Sequence, residues 1–130
     1  FKAFDAAALL SPATVNTLIE AQMLRSPHVA ALEVPGGPAW TCGAFMRKVQ
    51  VASDKLMDIC PERHVCMALC VDEGPAMIIL QLSVLVAGSY FLPLDLQYPV
   101  DRLQFMLSTT GARILLALAD QLRGPTGVEL

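Results

Sequence analysis

Between Glu73 and Asp95 the chain holds no charged residue. A stretch of this kind has to be covered, by protein or by lipid, because apolar surface left in water costs about 25 cal/mol per Å². Its length alone matches the about 20 apolar residues of a membrane span. Its interior argues otherwise: Gly88 and Ser89 interrupt it, Pro93 and Leu94 close it, and Tyr90-Phe91-Leu92 is β-prone. A short buried helix followed by a buried strand accounts for the run without lipid.

The helix is expected over Ala76 to Ala87, entered by the turn Asp72-Glu73-Gly74-Pro75, with Pro75 in the first turn and Gly88 as a C-terminal cap at positive φ. It is apolar nearly all round, so it belongs in the interior, against strands Val65–Val71 and Tyr90–Leu94. Val65 to Val71 is itself almost wholly apolar, as a strand covered on both faces should be. A helix over Pro99 to Thr109 and a buried strand over Arg113 to Ala117 follow. Helix and strand alternate with short connections, which predicts an α/β fold with a mostly parallel sheet and flanking helices. Asp95 at the end of one strand and Arg102 one turn into the next helix are placed to pair across the loop; the alternative is two solvated charges.

Upstream, Thr14 to Arg25 reads as an amphipathic helix with Val15, Leu18, Ile19 and Met23 on its apolar face, Thr14 as N-cap and Ser26-Pro27 as stop. Two short strands, within His28–Val34 and at Ala39-Trp40-Thr41, are joined by the turn Pro35-Gly36-Gly37-Pro38. Gly43 to Cys60 is spaced for a helix that points Phe45, Val49, Leu56 and Ile59 inward and leaves Arg47, Lys48, Asp54, Lys55 and Asp58 to solvent. Pro61-Glu62-Arg63 ends it. Residues 1–13 read as a lead-in, residues 14–130 as the folded part, and Arg123–Gly127 as a loop leading out.

Of 130 residues, 55% are hydrophobic, more than a small soluble domain needs, which implies surface covered by something the chain does not contain. Net charge is −3 and the nine Lys and Arg are scattered singly, so nucleic-acid binding is disfavoured. Lys2 is the only positive charge before Arg25, which does not make the charged start of a signal peptide, and the first residue is Phe1. The expectation is an excised segment of a larger cytoplasmic protein. Cys42, Cys60, Cys66 and Cys70 form no C-x-x-C pair and have no histidine at zinc spacing, so buried free thiols in a reducing compartment are expected. His28 and His64 stand alone; His64 is read as solvated.

The sequence has no G-x-x-x-x-G-K-[ST], no G-x-G-x-x-G after a strand and no Ser/Thr/Gly-rich loop ending in Lys-Gly. Pro35-Gly36-Gly37-Pro38 has no cation to meet a phosphate and is read as a hairpin turn. Asp72 and Glu73 are adjacent acids at a helix entry, a solvated pattern rather than a metal chelate. Catalytic, cofactor-binding and metal-ligating residues are therefore each assigned as none.

The segment Leu85-Val86-Ala87-Gly88-Ser89-Tyr90-Phe91-Leu92-Pro93-Leu94-Asp95 resembles the motif L-K-A-G-x-A-Y-V-P-L-D of nonribosomal peptide synthetase adenylation domains, which belong to the adenylate-forming enzyme superfamily. It continues into Tyr98-Pro99-Val100-Asp101-Arg102-Leu103 and Gly111-Ala112-Arg113-Ile114-Leu115-Leu116, similar to the family's Y-P-x-x-R-L and its G-A-R-hydrophobic strand. Trp40-Thr41-Cys42-Gly43-Ala44-Phe45 and Arg63-His64-Val65 fall where the family carries L-T-Y-x-E-L and G-D-R-V. Val86 replaces a usual Lys, Leu96 a usual Pro, and Cys42 and Ala44 a usual Tyr and Glu, which marks a divergent member.

The resemblance implies the N-terminal part of an adenylation domain, incomplete at its C-terminus. It also implies that the intact domain uses ATP and Mg²⁺ to join an amino acid to AMP, then loads it on the phosphopantetheine thiol of a carrier domain. The implied partners are the rest of the adenylation domain, the carrier and condensation domains of the same synthetase and the amino acid, with no nucleic acid and no membrane. Since the family's ATP-serving motifs lie further along, this chain alone is expected to be inactive. The alternatives are a piece of an acyl-CoA or aryl-acid ligase of the same superfamily, or an unrelated small α/β binding module.

Overall fold

A computed structural model describes residues 14–118, so the readings of residues 1–13 and of Arg123–Gly127 lie outside the described residues. The described residues divide into two compact units, with the boundary between Met46 and Arg47.

In the first unit, helix α1 spans Val15–Arg25. Thr14 caps it as expected, its Oγ1 accepting the Thr17 N–H at 3.5 Å. The apolar face is only half-covered: Leu18, Ile19 and Met23 are half-buried, and Val15 is 63% exposed rather than inward. Strands β1 (Ala30–Glu33) and β2 (Ala39–Thr41) pair antiparallel, with a bulge between Ala30 and Leu32. The Pro-Gly-Gly-Pro turn joins them, Gly36 taking φ +71° and the Gly37 N–H reaching the Val34 carbonyl at 2.8 Å. Helix α2 spans Cys42–Ile59 and runs on into the second unit. Thr41 Oγ1 accepts the Ala44 N–H at 3.3 Å, so the Thr in the expected W-T-C-G-A-F segment starts this helix.

The second unit holds the remainder of α2, strand β3 (Cys66–Cys70), helix α3 (Pro75–Val86), strand β4 (Tyr90–Pro93), helix α4 (Val100–Thr110) and strand β5 (Ile114–Ala117). The sheet is parallel, in the order β4-β3-β5. Strand β3 is central and every one of its residues is buried, which is why it reads as an unbroken apolar run.

Period-two alternation along β3 gives each face its own cover. On one face, Met67 and Leu69 lie with Phe91, Ile114 and Leu116 under Leu56 and Met57 of α2 and Met77, Leu80 and Val84 of α3. On the other, Ala68, Leu92 and Leu94 lie under Leu103, Met106 and Leu107 of α4, with Tyr98 and Ala112 alongside. Burial of a side chain such as Met67 or Leu69 contributes about 1.5–3 kcal/mol.

The helix ends follow from local chemistry. Pro75 opens α3 and Ala87 closes it, after which Gly88 takes φ +77°. The Gly88 N–H donates to the Leu85 carbonyl and the Ser89 N–H to that of Val84, both at 3.0 Å, the paired bonds of a Schellman ending. Gly111 ends α4 at φ +63°. At the opposite end of the sheet from these helix entries, Arg113 Nη1 donates to Glu62 Oε2 at 2.6 Å, an exposed pair that links the start of β5 to the approach to β3.

Several expectations are corrected. Ile59 is 70% exposed, although Met57 and Cys60 on either side of it pack against the core, and Ser53 is fully buried. Helix α3 is not covered all round; only Ser83 and Val84 are buried and Ile78 is 37% exposed. Strand β5 is an edge strand, half-buried, with Leu115 36% exposed. Asp95 and Arg102 do not pair: Asp95 Oδ1 accepts the Gln97 N–H at 2.9 Å, while the Arg102 guanidinium carbon lies 4.2 Å from the Tyr98 ring centroid. Each charge finds a partner nearer in sequence than the other. No helix among the described residues is long and apolar enough to cross a membrane.

Candidate functional site

Strands β3 and β4 are neighbours, yet the connections leaving their carboxyl ends go to opposite faces of the sheet. That of β3 leads to α3, under which Met67 and Leu69 are buried; that of β4 leads to α4, over Ala68 and Leu94. Where adjacent connections part in this way, an open α/β sheet leaves a crevice at its carboxyl edge, the usual place for a ligand. The structure has a cavity of about 500 Å³ there, lined from Cys70 to Glu73, by Met77, and from Pro93 to Tyr98.

Each wall is fixed locally. Val71 is buried at the end of β3, and Asp72 and Glu73 are exposed beyond it. Gly74 then turns at φ +152° and ψ −170°, a conformation open essentially to glycine alone, to bring Pro75 to the start of α3. On the other wall, the Leu94 N–H donates to the Leu69 carbonyl at 2.8 Å, which holds the end of β4 against β3. Asp95 organises the next turn, its carbonyl accepting the Tyr98 N–H at 3.0 Å.

The chemistry of the lining is acidic and apolar. Asp72, Glu73 and Asp95 supply carboxylates, Val71, Met77, Leu94 and Leu96 supply hydrocarbon, and none of the lining residues is Lys, Arg or His. Cys70 is buried, and loss of solvation, with a smaller contribution from the Asp72 carboxylate, pushes its thiol up from the ordinary range. A neutral thiol is a poor nucleophile. Gathering several donors around a triphosphate takes cations and a glycine-rich loop; this lining does not fit such a ligand. Among the described residues no group of three or more His, Cys, Asp or Glu is placed to hold a metal ion.

Sequence reasoning assigned no site residues, and it missed the crevice. The acids Asp72 and Glu73 and the motif residues Pro93, Leu94 and Asp95 stand in the sequence as separate features. What brings them together is the parting of two successive connections to opposite faces. The solvated reading of His64 agrees with its exposed position, where it takes φ +60° and donates its N–H to the Gly88 carbonyl at 2.9 Å. Cys42, Cys66 and Cys70 are buried free thiols and Cys60 is half-buried.

The family described as AMP-binding enzyme matches residues 19–129. Among curated proteins, the chain is 31% identical to bacitracin synthase 3 of Bacillus licheniformis over 104 residues, which is 80% of this chain and 2% of that protein. It is 33% identical to a nonribosomal peptide synthetase of Pyrenophora dematioidea over 111 residues, 81% of this chain and 8% of that protein. The chain thus spans only a small part of the length of these relatives. Among solved structures, the N-terminal subdomain of Klebsiella oxytoca NpsA in complex with 3-hydroxybenzoyl-AMSN superposes with a TM-score of 0.74 at 20% identity, covering 79% of this chain and 26% of that one. Holo-PA1221, a protein containing adenylation and PCP domains, gives a TM-score of 0.76 at 21% identity, covering 80% of this chain and 18% of that one.

Proposed function

The chain belongs to the AMP-binding enzyme family as a partial adenylation domain, and from this we propose that its parent is a peptide synthetase that activates an amino acid. In this reading the intact domain joins the amino-acid carboxylate to the α-phosphate of ATP with Mg²⁺, releases pyrophosphate, and passes the acyl group to the phosphopantetheine thiol of a carrier domain. Residues 14–130 are the N-terminal part of that domain, incomplete at the C-terminus, in a cytoplasmic protein. Its partners are the remainder of the domain, the carrier and condensation domains and the amino acid, with neither nucleic acid nor membrane among them.

The observation that carries the reading is the ordered run of motif residues from Leu85 to Leu116. In the structure this run is continuous through the end of α3, β4, α4 and β5, the elements that complete the sheet around β3. Identities of 31% and 33% to peptide synthetases support an amino acid as the substrate class. An aryl-acid or acyl-CoA ligase is the second reading, with 3-hydroxybenzoyl-AMSN bound to the NpsA subdomain at lower identity in its favour.

The contribution of this chain is scaffold. Aligning two anions that repel each other requires cationic or metal compensation at the reacting atoms. The lining of the crevice supplies no Lys, Arg or His for this, and in this reading no step of the reaction is routed through it. Amino-acid-dependent exchange of labelled pyrophosphate into ATP is the test. The parent protein should exchange with one or a few amino acids and the 130-residue chain with none. Exchange with aryl or fatty acids alone would transfer the parent to the second reading, and exchange by the isolated chain would overturn the scaffold role.

A further inference from the structure

We draw no further inference here: the strongest candidate, the crevice at the carboxyl ends of β3 and β4 with its rim of Asp72, Glu73 and Asp95, is an acidic cluster beside a helix entry, and nothing in the structure shows what occupies it.

Discussion

Ser83 of α3 donates its hydroxyl to the backbone carbonyl of Val49 in α2 at 3.0 Å, a bond between the two helices that share one face of the sheet. The same hydroxyl lies 2.6 Å from the Ile79 carbonyl, one turn back in its own helix. Ser53 is equally buried on α2, and its Oγ has no hydrogen-bond partner. The two serines therefore predict opposite results. Ser83→Ala should lower stability by about 1 kcal/mol, the net value of a satisfied hydrogen bond, whereas Ser53→Ala removes a desolvated hydroxyl and should leave stability unchanged or raise it. Urea unfolding of the two variants decides the matter; a larger loss at Ser53 than at Ser83 would contradict the structure.

Position along α3 sets a second contrast. Val84 is fully buried against β3 while Ile78, on the same helix, is 37% exposed. An aspartate at Val84 would be a charge without water or partner, and soluble expression should be lost. Ile78→Asp should remain soluble and cooperative in its unfolding. In the central strand, Met67→Ala empties a fully buried site and should cost about 2–5 kcal/mol.

Cys70 makes stability depend on alkaline pH. Burial, helped by the Asp72 carboxylate, raises its thiol, so the folded state holds the proton more tightly than the unfolded chain. Its contribution is complete below the unfolded value and is lost as pH rises through the folded one. Stability should thus decline above pH ~8.5, where free thiols ionise. A Cys70→Ala variant should decline less across that window. An identical slope in both proteins, measured by urea midpoints from pH 7 to 10, would show that Cys70 is not responsible.

Asp95 and Arg102 serve different neighbours, which a double-mutant cycle can register. Asp95→Ala loses the bond to the Gln97 N–H, and Arg102→Ala loses the contact with the Tyr98 ring, worth about 0.5–1 kcal/mol at an exposed site. Their effects should add to within about 0.5 kcal/mol. A coupling well above that would restore the pair expected from sequence.

Edge strand β5 carries Ile-Leu-Leu-Ala with no proline, lysine or other charge, whereas β4 ends in Pro93, which has no N–H to offer. Among the described residues no strand pairs with the outer edge of β5, and an open apolar edge invites pairing with another chain. The isolated chain should self-associate in a concentration-dependent way by light scattering, and Leu115→Lys should reduce the association. A strictly monomeric chain at high concentration would show that this edge is not available.

Much of the fold was legible because local rules and tertiary demands coincide. Pro75 and Gly88 mark the two ends of α3 because proline's fixed φ suits a first turn and glycine tolerates the positive φ of the ending, and the short apolar run of β3 between turn residues fits a strand covered on both faces. The failures occur where burial depends on neighbours distant in sequence. Ile59 is apolar yet exposed between Met57 and Cys60, which pack against the core, and Ser53 is polar yet faces the interior. Strand β5 is as wholly apolar as β3 but sits at the sheet margin, a difference that strand order creates. The crevice was illegible for the same reason: Asp72 and Asp95 become neighbours only once their two connections part to opposite faces.

The placing of β3 also shapes how the protein is made. Its partners β4 and β5 both follow it in the chain, so a ribosome delivers the middle of the sheet before either side exists. Helix α2 precedes β3 and α3 comes directly after it, which lets Leu56 and then Val84 shelter Met67 and Leu69 during synthesis while the other face waits for α4. Ala68, which shares that waiting face with Cys66 and Cys70 by the alternation of the strand, is the smallest side chain in β3. On β3 itself the face that stays bare longest thereby offers the smaller side chains, Cys-Ala-Cys against Met67 and Leu69, which limits adhesive surface on the nascent polypeptide when it is most vulnerable to aggregation.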